Sequence, residues 1–106
     1  TRINWTDDAQ VIYNLVRGLS PYPAAYTELV RDDGQRQTVK IFFVEPCEVS
    51  VESTNGSLHT DNKSYIYVAC GKGEISIKEL QLEGKKKMNV IDFLKGFRFR
   101  SGDKFV

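Results

Sequence analysis

Apolar positions along this chain switch between two periods, and the switches mark its elements. Ile12, Leu15, Val16 and Leu19 fall at i, i+3, i+4 and i+7, one face of an amphipathic helix. Thr6 is placed to cap its start, with Asp7 and Asp8 at the positive end of the helix dipole. Gly18 weakens the helix, Pro21 and Pro23 stop it, and Ser20 to Pro23 is expected as a rigid, extended turn. Trp5 and Tyr22, aromatics near these breaks, are expected to pack as plugs and not to offer stacking platforms.

Strand patterns follow. Ala25 to Arg31 runs into Asp32-Asp33-Gly34-Gln35, which predicts a hairpin turn. From Thr38 to Val51, the residues Val39, Ile41, Phe43, Cys47, Val49 and Val51 share one parity. Phe42 and Val44 are apolar on the other face, where Glu48, Ser50 and Glu52 are polar, so half of this strand is expected to be covered on both sides. Pro46 implies an edge position or a bend. Asn55-Gly56 predicts a second turn, Ser57 to Thr60 a short strand, and Tyr65 to Cys70 a central strand that Gly71-Lys72-Gly73 turns back.

Ile75 and Ile77 are odd while Leu80 and Leu82 are even. A strand cannot change faces without an extra residue, so a bulge or strong bend is expected near Lys78-Glu79. Asn89 is placed to cap a last helix, with Asp92 at its third position and Val90, Phe93, Leu94 and Phe97 forming its apolar stripe. The sum is a mainly β fold over residues 1–106: a small OB-like five-stranded barrel with an N-terminal and a C-terminal helix. Leu15, Ile41, Val49, Val68, Ile77 and Phe93 are expected in its core.

Composition narrows the class. At 106 residues, 41% hydrophobic and 27% charged, the chain has the size and balance of one soluble domain. No apolar run approaches the roughly 18 residues that span a bilayer, and nothing reads as a signal peptide. The chain begins at Thr1 and enters a structured motif at once, as expected for a piece excised from a longer protein. Cys47 and Cys70 are too few and too far apart for a disulfide framework or a zinc site, which suits a reducing cytoplasm.

Charge is unevenly placed. Residues 1–83 hold 8 Lys/Arg against 12 Asp/Glu, whereas residues 84–106 hold 7 against 2, leaving −4 and +5. Lys85, Lys86 and Lys87 follow Gly84 on a tight turn and cannot all point into protein, so they form a positive site suited to a polyanion. In Phe97-Arg98-Phe99-Arg100 the alternation predicts rings packed down and both guanidiniums outward.

Catalytic chemistry is harder to find. His59 is the only histidine, and neither residues at ligand spacing nor a paired nucleophile accompany it, so it is expected as a surface histidine and not as a metal ligand or catalytic base. Gly71-Lys72-Gly73 is too short for a phosphate loop, and Asp7-Asp8 and Asp32-Asp33 are accounted for by a helix start and a turn. No catalytic residue is assigned to this segment.

Two motifs in order carry a family resemblance. Leu80-Gln81, Gly84-Lys85-Lys86, Met88 and Asp92-Phe93-Leu94 resemble the closing motif of the C-terminal domain of methionyl-tRNA formyltransferases. Ile3-Asn4-Trp5 and the run from Ile12 to Ala24 resemble that domain's opening, so the likeness covers about Arg2 to Phe105. The resemblance implies an OB-like domain that follows a Rossmann-like catalytic domain. The catalytic domain would move a formyl group from 10-formyltetrahydrofolate to initiator methionyl-tRNA, while this segment would bind no cofactor itself. Its Asn, His and Asp catalytic residues have no counterpart here. The segment's expected partners are the tRNA and the protein's own N-terminal domain, with no membrane and no metal. Carried over by position, Lys85, Lys86, Lys87, Arg17 and Lys40 match basic positions of the family; Arg98 and Arg100 join them as outward cations. Two other readings stay open: an accessory domain of a formyltransferase-type enzyme acting on nucleotide sugars or formyltetrahydrofolate, and a free-standing OB module for single strands, which exposed aromatics on one barrel face would support.

Overall fold

The computed structural model describes residues 1–47 and 53–106. Helix α1 covers Ala9–Leu19, and strands β1 (Ala25–Val30) and β2 (Arg36–Cys47) follow as a hairpin. Next come β3 (Leu58–Thr60), β4 (Ile66–Ala69) and the long β5 (Glu74–Leu82). A two-residue strand β6 (Met88–Asn89) leads into helix α2 (Val90–Gly96), and β7 (Lys104–Phe105) ends the order. The five expected strands are therefore joined by two very short ones.

All neighbours pair antiparallel in the order β3-β4-β5-β2-β1-β7, with β6 added to β5. The ring then closes. Ser57, next to β3, bridges Lys104 of β7, and the Phe105 N–H donates to the Gly56 carbonyl at 2.9 Å. At this seam Gly56 has φ +92°, and a Cβ there would run into the Phe105 carbonyl oxygen, so only glycine lets the two backbones meet. Closure removes the sheet's unpaired edges along the seam.

The face change expected at Lys78-Glu79 is present, and β2 changes face with it. Pairing runs Ile41 to Leu80, Phe43 to Glu79 and Val44 to Ile77, so Phe42 is the extra residue on one strand and Lys78 on the other. The inward position passes from Ile41 to Val44, both buried, and leaves Phe43 45% exposed. This corrects the single parity expected through Phe43 and Cys47: the strand bulges, and Cys47 is only half-buried. Among the described residues Pro46 pairs with β5 alone, because β1 reaches only residues 36–41 of β2, as an edge position requires.

Ile41, Val68, Ile77 and Phe93 are buried as expected, whereas Leu15 is half-buried against the core. Ala9, Ile12 and Val16 form the fully buried line of α1, and Leu15 lies beside it. Val49 and Val51, with Glu48, Ser50 and Glu52, lie outside the described residues.

Helix α1 starts two residues later than a Thr6 cap would place it. The Thr6 hydroxyl is taken up by Asn4 Oδ1 at 2.7 Å, and Asp8 is the N-cap. Asp8 contributes no side-chain cap; the Ala9 N–H donates to the Lys72 carbonyl at 3.0 Å instead. A distant turn thus satisfies a helix end that sequence assigned to a local hydroxyl. Helix α2 begins as read: Asn89 Oδ1 accepts from the Asp92 N–H at 2.9 Å, and Asn89 Nδ2 donates to the Asp92 carboxylate at 3.1 Å.

Trp5 is buried, donates its indole N–H to Thr27 Oγ1 at 2.9 Å and stacks on Phe105 with centroids 5.8 Å apart. Tyr22 is not a plug: it is 88% exposed on the 20–23 turn.

Candidate nucleic-acid interface

The lysine turn is built by the end of β5. After Leu82 the Glu83 N–H donates to the Thr38 carbonyl at 2.9 Å, Gly84 takes φ +81°, and the Lys85 N–H returns to the Leu82 carbonyl at 2.9 Å. Gln81 Nε2 donates to the Lys85 carbonyl at 2.8 Å and braces the turn from the strand. Lys85, Lys86 and Lys87 are all exposed, as three successive residues on a tight turn must be.

They are not equivalent. The Lys87 ammonium lies 4.6 Å from the centroid of the Phe42 ring and 4.0 Å from Glu79 Oε1. Lys85 and Lys86 have no ion-pair partner among the described residues. Lys40 is the register partner of Gln81, and with Thr38, Gln81, Glu83 and Gly84 it borders one shallow depression of about 330 Å³. The strand pairing thus brings Lys40 beside the turn, although 45 residues separate Lys40 from Lys85.

The other three expected cations stand apart. Arg17, in the last turn of α1, donates to Asn14 Oδ1 at 3.0 Å and lies over the Tyr13 ring at 5.5 Å. Phe99 is buried, Phe97 half-buried, and Arg98 and Arg100 are exposed, so the alternation holds. Arg100, however, reaches back to Asp32 at 3.3 Å and Asp33 at 3.7 Å on the β1–β2 turn. Next to it the buried Asp103 carboxylate meets Arg31 Nε at 2.9 Å and accepts the Asp32 and Arg100 backbone N–H groups, each at 2.9 Å. Much of the positive charge counted at this end is consumed internally.

Sequence reading missed an apolar concavity of about 220 Å³ that shares Lys85 with the turn and is walled by Leu82, Met88, Phe93 and Phe97. The i, i+3, i+4, i+7 stripe had assigned Phe97 to the core, and a stripe does not say where a packed ring borders open space.

His59 is half-exposed, with Ser53 Oγ 3.4 Å from Nε2 and Glu74 Oε2 3.8 Å from Nδ1. Sequence spacing gave no sign of this cluster, because Glu74 reaches His59 only through the pairing of β3, β4 and β5. Both distances exceed the roughly 2.6–3.2 Å of a working proton relay. Burial pushes the Cys70 thiol up, and burial with Glu74 and Glu45 nearby does the same for Cys47, so both stay protonated and poorly nucleophilic. No group of three or more His, Cys, Asp or Glu able to hold a metal occurs among the described residues.

A closed antiparallel barrel of this size, with flanking helices and one lysine-rich turn at its rim, defines a small OB-like domain. Residues 1–98 match the family described as the formyl transferase C-terminal domain, and the chain belongs to that family. It is 50% identical over 96 residues to a methionyl-tRNA formyltransferase of Parabacteroides distasonis, covering 91% of this chain and 30% of that protein. It is 48% identical over 103 residues to one of Phocaeicola vulgatus, covering 97% and 32%. A methionyl-tRNA formyltransferase of Geobacter metallireducens is 43% identical over 101 residues, covering 94% and 30%. The chain thus spans about a third of the length of these relatives.

Proposed function

We propose that this chain is the tRNA-holding domain of a methionyl-tRNA formyltransferase. The parent enzyme transfers a formyl group from 10-formyltetrahydrofolate to initiator methionyl-tRNA in an N-terminal catalytic domain, and this domain holds the tRNA so that its aminoacyl end reaches that site. A cytoplasmic location goes with the role. The observation that carries the reading is the exposed Lys85-Lys86 pair, without an ion-pair partner among the described residues and with Lys40 beside it, on a chain of the formyl transferase family. Such cations fix a phosphate backbone in register and carry no base information.

Exposed aromatics do not favour a free-standing single-strand binder. Tyr22, Tyr26, Phe43 and Tyr65 are exposed, but Tyr22 stands on the 20–23 turn outside the strands, and Phe43 pairs with Glu79 and lies two residues from Glu45, where carboxylates repel a phosphate chain.

Replacing Lys85, Lys86 and Lys87 by Ala is expected to weaken binding of different tRNAs alike. The log–log salt slope should fall by about 2, each lost phosphate contact removing roughly 0.7–0.9. In a full-length enzyme the loss should fall mainly on KM, since holding is shared by ground and transition states. An unchanged slope and KM would refute the reading. The 106-residue chain alone is expected to show no formyl transfer; turnover abolished by His59→Ala would overturn that.

A further inference from the structure

The concavity beside the lysine turn has a chemistry of its own. Its walls come from three elements: Leu82 closes β5, Met88 belongs to β6, and Phe93 and Phe97 lie one turn apart on α2 and its end, their rings stacked at 5.0 Å. Its volume of about 220 Å³ is below the roughly 300–1,000 Å³ of drug-sized sites, so it suits one planar ring system and not a folate-sized molecule. Gly96 borders it, and a Cβ there would meet nothing within 4 Å, so that side is open. The half-buried Met88 offers a flexible, polarisable thioether that adapts to a flat ring.

Two polar groups complete it. Lys85 brings a cation with no carboxylate partner among the described residues. Asp92 brings a carboxylate whose Oδ2 accepts from Asn89, leaving Oδ1 with only Lys95 at 3.5 Å. An apolar slot flanked by one cation and one acceptor complements a ring, a phosphate and an exocyclic amino group. An apolar protein side chain would use neither charge.

The Arg31 guanidinium lies 4.7 Å from the Phe97 centroid and Phe93 stacks on the same ring, so Phe97 presents an edge to the concavity. We propose that this concavity takes one unstacked nucleotide of the bound RNA, with its base against Met88 and the edge of Phe97 and its phosphate on Lys85. The inference rests on the reading that the lysine turn holds RNA, and it adds a contact that phosphate pairing alone does not supply. Proteins commonly read RNA through bases splayed out of the stack and laid against aromatic or apolar side chains.

Met88 is the only methionine, so methyl-labelled methionine gives a single resonance inside the site. Adenosine 5′-monophosphate is expected to move that resonance saturably, whereas ribose 5-phosphate and inorganic phosphate leave it in place. Gly96→Leu fills the opening without changing charge; it should abolish the shift and weaken binding of deacylated initiator tRNA roughly five- to 150-fold, the range of one lost base–aromatic contact. The salt slope should stay as in the parent chain, and the emission of the distant Trp5 reports that the variant is folded. A Met88 resonance that ignores the nucleotide, or answers equally to ribose 5-phosphate, overturns the proposal. So does an equal response to N-acetyl-leucinamide, which marks a protein side-chain pocket. If Gly96→Leu binds tRNA like the parent while the triple lysine variant does not, the nucleotide site is wrong and the lysine-turn reading stands. If the parent chain itself shows no salt-dependent tRNA binding, both fall.

Discussion

The turn at residues 83–87 and the knot that joins 31–33 to 98–103 are both rich in basic side chains, yet they use them oppositely. In the knot, Arg31 and Arg100 are spent on Asp103, Asp32 and Asp33, and the result ties the C-terminal segment to the β1–β2 hairpin. Asn62 ties the same segment from the other side: it donates Nδ2 to the Phe99 carbonyl at 3.1 Å and accepts the Phe99 N–H at 2.8 Å. In the turn, one lysine of three lies against an aromatic ring and a carboxylate, and two are exposed with no ion-pair partner among the described residues. A local count of charge therefore measures what a segment contains, and pairing decides what it can offer to a partner.

Four substitutions separate the two regions, the largest effect falling on the knot. Asp103→Ala removes a fully buried carboxylate and leaves Arg31, whose side chain is 12% exposed, without its partner. Breaking such a pair from one side costs about 3–5 kcal/mol, to be read as a fall in the urea midpoint at unchanged m-value. A midpoint within experimental scatter of the parent would show that the knot is not structural.

A smaller effect distinguishes individual cations. Lys86→Ala should lower the tRNA salt slope by roughly 0.7–0.9, while Arg100→Ala should barely move it because its charge is already neutralised. Lys87→Ala should instead cost about 0.5–1 kcal/mol of stability through the lost contact with Phe42. Equal slopes for Lys86→Ala and Arg100→Ala would erase the contrast between turn and knot.

The smallest effect lies in neither region and serves as a control. The Asp61 carboxylate is held well below the usual carboxylate range, first by the Ser64 hydroxyl, then by backbone N–H groups of Ser64, Lys63 and Tyr65. A depressed folded value means its contribution is present above the unfolded value near 3.8 and is lost as pH falls through the folded one. Asp61→Asn should therefore narrow the stability difference from the parent on acidification below about pH 4, measured by denaturation at stepped pH. A difference that grows on acidification would reverse the assigned sign.

What was legible in the sequence was local. The α2 cap at Asn89, the hairpin at Asp32 to Gln35 and the face change at Lys78-Glu79 each follow from residues within a few positions of one another. What was not legible depends on residues far apart in the chain. The start of α1 is satisfied by Lys72, and the compensating bulge at Phe42 is set by its partner strand. Of the four candidate cations outside the lysine turn, only Lys40 joins it. Arg100 is consumed by a turn 67 residues earlier, counted from Asp33, and its pairing leaves no trace in the Phe97 to Arg100 alternation.

The seam at Gly56 and Phe105 also sets an order of events in time. Leu29, Gly56 and Phe105 must come together to complete the ring, which joins chain positions separated by 76 and 49 residues. Closing loops of that length is entropically demanding and slows folding, whereas the β1–β2 hairpin and the β4–β5 turn need only short ones. During synthesis the hairpins can form early, but the ring stays open until residue 105 has emerged, and the unpaired strand edges are bare for that whole interval.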